Sequence, residues 1–128
     1  MRILLDTSTF IWFIGGNKKL SEKAREVIEN FENELCMSVA SLWEMAIKTG
    51  IGKLELSAPF DKLIPKEIKI NEISIIQIEL PHLYKMMELP LHHRDPFDRL
   101  IIAQGIFEQL PIICCDKMFR HYDIDIIW

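Results

Sequence analysis

The chain opens on Arg2-Ile3-Leu4-Leu5-Asp6, "RILLD", a short apolar run stopped by a carboxylate. Unbroken apolarity, without the polar–apolar alternation of a half-exposed strand, predicts a strand covered on both faces, as in a parallel sheet. The same wording returns near the other end as Leu110-Pro111-Ile112-Ile113-Cys114-Cys115-Asp116, "LPIICCD". In an open parallel sheet the C-terminal strand ends share one edge, and ligands bind in the crevice beyond it. Asp6 and Asp116 are therefore expected on one edge of one sheet.

The residues between them alternate between the two kinds of pattern. A helix through Phe10 to Ile14 stops at Gly15-Gly16, and a second spans Ser21 to Phe31 with Ser21 as its N-cap. Glu34 to Ser38 is the second strand. Val39, Leu42, Trp43, Ala46 and Ile47 repeat at helical spacing and mark a helix ending near Gly50. Pro59 to Leu63 reads as a short helix, and Ile68 to Ile78 contains a third strand around Glu72 to Ile76. A helix from Pro81 to Met87 is broken by Pro90. Another runs from Pro96 to Gln109, before the strand at Leu110–Asp116 and a fifth at Ile124–Trp128. The expected fold is α/β: a central, mostly parallel sheet of about five strands between two helical layers, with residues 1–128 as a single domain.

Composition narrows the function classes. Hydrophobic residues make up 49% of the 128, enough for a real core. A formal charge of −4 argues against holding nucleic acid by bulk electrostatics, so any such contact needs a local basic patch or bound cations. The cysteines, Cys36, Cys114 and Cys115, lie in apolar runs without zinc-finger spacing and read as reduced, buried residues of a cytoplasmic protein. No signal peptide precedes the first apolar run, and no apolar stretch approaches the ~20 residues of a membrane span.

The chemistry rests on carboxylates. In His93–Gln104, "HRDPFDRLIIAQ", Asp95 is the expected N-cap, Pro96 takes the first helical position, and Asp98 can close a capping box. Asp98 shares its helical face with Ile101, Ile102 and Gly105, an unusual line for a merely solvated carboxylate. Crossover helices begin where strands end, so Asp98 belongs on the edge that holds Asp6 and Asp116. Glu44, on the helix directly after Ser38, reaches the same crevice. Each also has a local reading: Asp6 and Asp116 as caps, Glu44 as an i, i+4 ion pair with Lys48. Gathered at one crevice, though, they repel one another unless a hard divalent cation neutralises them. An all-oxygen set suits Mg²⁺ or Mn²⁺. His92 and His93 read as exposed loop residues, and the tryptophans as packing.

Four ordered blocks, "LLDTST", "SVASLWEMAIKTGIGKLEL", "LPLHHRDPFDRLIIAQ" and "CCDKMFRHYDIDIIW", resemble the PIN-domain ribonucleases, specifically VapC-type toxins of toxin–antitoxin pairs. The resemblance spans nearly the whole chain and implies a three-layer PIN-like sandwich. It places the family's acidic quartet on Asp6, Glu44, Asp98 and Asp116 as catalytic and metal-binding residues. The implied activity is Mg²⁺- or Mn²⁺-dependent RNA hydrolysis leaving 5′-phosphate and 3′-hydroxyl ends, and the implied partners are a second copy and an antitoxin protein. The chain departs from the family wording at Ser8, where His is frequent, and at Cys114, where Thr is frequent. Arg94, Arg99, Lys48, Lys53, Lys117 and Arg120 are candidate contacts to an RNA backbone. Apolar surface for partners is expected on the helix of Phe10–Ile14 and at Met45, opposite its helix's apolar stripe. Two other readings compete: a PIN-fold binding module without turnover, and an Asp-nucleophile phosphohydrolase. The latter commonly has a second Asp two residues after the first, where this chain has Ser8.

Overall fold

A computed structural model describes all residues, 1–128. The elements in chain order are β1 (Arg2–Leu5), α1 (Thr7–Ile14), α2 (Glu22–Glu29), β2 (Glu34–Ser38), α3 (Val39–Gly50), α4 (Phe60–Ile70), β3 (Ser74–Ile76), α5 (Leu80–Glu88), α6 (Pro96–Phe107), β4 (Ile112–Ile113), a 3₁₀ turn at Lys117–His121 and β5 (Ile126–Ile127). The strands form one sheet in the order β3-β2-β1-β4-β5, and every pairing is parallel. The sheet is thus wholly parallel, where "mostly" was expected.

Period-two alternation sorts the strand residues onto two faces. Ile3, Leu5, Leu35, Met37 and Ile113 pack with Phe10 of α1, Ala24 and Ile28 of α2, and Ile64 of α4. Leu4, Cys36, Ile112 and Cys114 pack with Leu100, Ile101 and Ile102 of α6 and with Phe119 and Tyr122. Two cores on one sheet make the three-layer α/β/α sandwich. Gly105 lets α6 press onto the sheet: a Cβ there would run into Ile124 Cδ1 and meet Ile112 Cδ1 at 3.0 Å.

Several elements differ from the sequence reading. α4 runs past the expected Leu63 to Ile70 with Pro65 inside it, and the third strand, expected around Glu72 to Ile76, forms at Ser74–Ile76. Pro65 forfeits only the bond to the carbonyl of Asp61, an exposed residue whose carbonyl solvent can satisfy. β4 and β5 are shorter than expected. On α3 the buried residues are Ala40, Ser41, Glu44 and Met45, so Met45 lies in the core while Trp43, Ile47 and Ile51 stand exposed. On the helix of Phe10–Ile14 only Phe10 is fully buried; Ile11, Trp12, Phe13 and Ile14 pack partly against the first core and keep some surface, and Trp12 meets Trp128 at 5.9 Å. No helix is long and apolar enough to cross a membrane.

Candidate active site

β1 is the central strand: the chain leaves it toward β2 and β3 on one side and later returns to β4 and β5 on the other. Its C-terminal end is therefore the topological switch point, where open parallel sheets form their crevice. Asp6 stands there as the N-cap of α1, its Oδ1 accepting from the Thr9 N–H at 2.9 Å. Thr9 Oγ1 donates to the Ile113 carbonyl at 2.8 Å, tying the start of α1 to β4. Asp116 follows β4 and caps the 3₁₀ turn, its Oδ1 accepting from the Met118 N–H at 2.9 Å.

Glu44 and Asp98 arrive on helices that meet beside this edge. The Trp43 and Phe97 rings lie edge to face, 5.0 Å apart at 83°, and each immediately precedes one of the two acids. Glu44 is buried; its Oε2 accepts from Lys48 Nζ at 2.7 Å, and its Oε1 is buried without a hydrogen-bond partner. At the start of α6, Asp95 Oδ1 caps the N–H groups of Phe97 and Asp98 at 2.9 and 3.0 Å. Asp98 does not close a capping box. Its Oδ2 instead faces His93 Nε2 at 3.6 Å.

The local readings of three quartet acids hold, and they do not exclude chemistry. Glu44 and Asp116 each commit one oxygen to the scaffold and keep the other free of protein hydrogen bonds, while Asp6 is held by the Thr9 N–H and lies in reach of the Cys114 thiol. Charge couples the group. Burial first, then Asp95, Glu44, Asp6 and Asp116, push Asp98 from 3.8 up to about 7. Burial raises Asp6 as well, with Glu44 adding to it, while hydrogen bonds from Thr9 and Cys114 work the other way. No three His, Cys, Asp or Glu side chains converge tightly enough to form a ready-made metal cage. The donor set still fits a hard divalent cation: every donor is oxygen, Glu44 Oε1 is orphaned in the interior, and mutual repulsion disfavours the charged state without a cation.

Cys114 is buried with its thiol in reach of Asp6, and its Sγ accepts from the Asp116 N–H at 3.2 Å. Burial, with Asp6 beside it, pushes this thiol far above the usual cysteine range. It joins two site strands as a neutral hydrogen-bonding group. Cys115 is exposed, contrary to the expectation that all three cysteines are buried.

The basic candidates divide. Arg99 donates to the carbonyls of Pro90, Met86 and Leu89 at 2.9, 3.2 and 3.3 Å, so it ties the loop before α6 in place and is not free for a backbone phosphate. Lys48 is engaged by Glu44, while Arg94, Lys53, Lys117 and Arg120 are exposed. Sequence reasoning missed Thr7 and Ser41, whose buried hydroxyls bond at 2.9 Å between α1 and α3. It also missed His93, which is only 14% exposed and whose Nδ1 meets the Tyr122 hydroxyl at 2.9 Å. His93 lies five residues before Asp98, a weak signal; Tyr122 had none.

Comparison with known proteins agrees with the fold. The fold matches DNA-bound VapBC from Salmonella typhimurium (TM-score 0.73, 20% identity, covering 98% of this chain and 96% of that one). It also matches VapBC2 from Rickettsia felis bound to a promoter DNA fragment (TM-score 0.72, 16% identity, 98% and 97% covered). A third match is VapBC-5 from Mycobacterium tuberculosis (TM-score 0.63, 18% identity, 98% and 97% covered). No curated protein sequence matches. The PIN domain family matches residues 3–125, nearly the whole chain, and the chain belongs to that family.

Proposed function

We propose that residues 1–128 form one nuclease domain that hydrolyses RNA phosphodiester bonds in the cytoplasm with Mg²⁺ or Mn²⁺, as the toxin of a toxin–antitoxin pair. The observation that carries the reading is the gathering of Asp6, Glu44, Asp98 and Asp116 at the switch point, close enough to raise the Asp98 carboxyl, with Glu44 Oε1 buried and without a hydrogen-bond partner. Asp6 and Asp98 are the first choices to hold the cation, with Glu44 and Asp116 completing the set. A divalent ion bound there supplies charge neutralisation at the phosphate and an acidified water. The protein's own part is positioning. The caps at Asp6 and Asp116 and the Lys48 bond to Glu44 fix the direction of each carboxylate, and exposed Lys53, Arg94, Lys117 and Arg120 offer charge to the flanking RNA backbone.

The full-length protein should cleave RNA with Mn²⁺ or Mg²⁺ and stop when EDTA is added. Undiminished cleavage in EDTA would sink the mechanism, because the carboxylates have no other means of activating water. The Asp-nucleophile alternative would instead leave a phosphorylated aspartate, detectable by mass spectrometry, and a binding module would show no turnover.

Partners follow from surface and likeness. The structural neighbours are VapBC complexes, toxin–antitoxin assemblies, and this chain shares their fold. Trp43 and Ile47 on α3 and Ile51 just after it are exposed apolar residues at i, i+4 spacing, at 57%, 41% and 61%. A second copy of the chain and an antitoxin segment are the proposed occupants of the surfaces around the crevice. Light scattering should show a dimer at roughly tens of micromolar, where mass action favours association. A strictly monomeric species would remove the dimer from the proposal.

A further inference from the structure

We propose that His93 is the positioning residue for Asp98, and that a hydrogen-bond chain from Arg99 through Tyr122 sets the direction in which His93 holds its proton. The inference rests on the nuclease reading above. It starts from an asymmetry: Asp6, Glu44 and Asp116 each have one oxygen anchored by the protein, whereas neither oxygen of Asp98 accepts a hydrogen bond. The group facing it is His93 Nε2, at 3.6 Å from Oδ2, and that nitrogen is itself buried without a hydrogen-bond partner. A buried, unpartnered imidazole nitrogen thus faces a carboxylate oxygen that no protein group bonds, across a gap slightly too long for a hydrogen bond. A shift of about half an ångström closes it.

Donor and acceptor chemistry fixes the polarity of the contact. Arg99 only donates. Its guanidinium, held by three backbone carbonyls, also reaches the Tyr122 hydroxyl oxygen at 3.5 Å. That leaves the phenolic proton for His93 Nδ1, 2.9 Å away. A neutral imidazole that accepts at Nδ1 carries its proton on Nε2, the atom aimed at Asp98. The ring is seated against Phe119 and Tyr122, with centroids 5.7 and 5.5 Å away, which holds it in place. Outer groups that hydrogen-bond a metal-ligating carboxylate or imidazole fix its direction, and losing one typically costs 10–100-fold in metal affinity or activity. The chain Arg99–Tyr122–His93 gives Asp98 that support and leaves Oδ1 for the cation.

The test compares His93→Ala, His93→Gln, Tyr122→Phe and Asp98→Asn in the full chain. Mn²⁺ affinity is read from the electron paramagnetic resonance signal of free Mn²⁺, beside RNA cleavage and melting temperature. His93→Ala and Tyr122→Phe should each weaken Mn²⁺ binding by about tenfold or more, while His93→Gln, which restores an N–H donor, should stay much closer to the parent. Tyr122→Phe removes a single oxygen and keeps the ring, so it remains informative if His93→Ala unfolds. Wild-type Mn²⁺ affinity in both Tyr122→Phe and His93→Ala, with Asp98→Asn defective, would overturn the role of His93 alone. Unchanged affinity in Asp98→Asn as well would overturn the nuclease site itself.

Discussion

Asp98→Asn is expected to lower Mn²⁺-dependent RNA cleavage by more than about 100-fold, beyond the usual loss for a residue that only supports a metal ligand. The same substitution should raise the melting temperature of the metal-free protein. Both effects have one cause. Asp98 sits among Asp95, Glu44, Asp6 and Asp116, and its burial together with their charge makes its ionised form costly until a cation arrives. Asn keeps the shape and discards that cost along with the ligand. Asp6→Asn should behave alike in activity, and Asn can still accept from the Thr9 N–H that Asp6 caps. Asp95→Asn is the internal control: its established task is to cap Phe97 and Asp98, which Asn also does well, so most activity should survive. Full activity in Asp98→Asn with a dead Asp95→Asn would reverse the two roles.

The second large effect is on stability. Asp98 titrates near 3.8 unfolded and at about 7 folded, so between those values the native state binds more protons than the unfolded state. Stability of the metal-free protein therefore falls as pH climbs through this window and levels off above it. At 1.36 kcal/mol per pKa unit the ceiling is about 4 kcal/mol. The Asp98 side chain is 24% exposed, so solvent screening trims this only in part. Asp6, also raised, contributes in the same direction. Of that ceiling about 2.7 kcal/mol falls between pH 5 and pH 8, which in a chain of this size corresponds to a drop of roughly 5–15 °C in melting temperature. Saturating Mn²⁺ should restore about 2.7 kcal/mol at a hundredfold excess over its Kd, most strongly at the alkaline end. Melting curves of the EDTA-treated protein and of Asp98→Asn across this range decide the matter. A flat or rising profile in the parent would show that the carboxylates are not crowded in solution.

The sheet was legible because strands buried on both faces leave no room for polar residues. "RILLD" and "LPIICCD" announce themselves, and once they are parallel the placement of Asp6 and Asp116 follows. Asp98 was legible for a similar reason, as a carboxylate on a helical face otherwise made of Ile101, Ile102 and Gly105, all buried. α3 was harder. Its apolar residues Trp43 and Ile47 look outward while Ser41 and Glu44 join Ala40 and Met45 on the buried side, because that side serves the site as well as the core. Periodicity finds the period of such a helix and assigns the wrong face. Arg99 failed on different grounds: a guanidinium bound to three carbonyls looks, in sequence, like one available to RNA. Which groups an arginine meets is set by tertiary folding, and so is the meeting of His93 with Tyr122, 29 positions apart.

Gly105 carries a consequence that reaches beyond its own surroundings. It lies seven residues along α6 from Asp98, roughly 10 Å at the helical rise. Because no Cβ intervenes, the helix rests directly on the Ile112 and Ile124 side chains, and a missing side chain sets the height of α6 above the sheet there. The other end of the same rigid rod carries the carboxylate. The helix works as a beam with its bearing at Gly105 and its load at Asp98, and the bearing surfaces are Ile112 of β4 and Ile124, just ahead of β5. The position of the acid is thus gauged against the strand whose continuation bears Asp116, so two members of the quartet share a single mechanical datum.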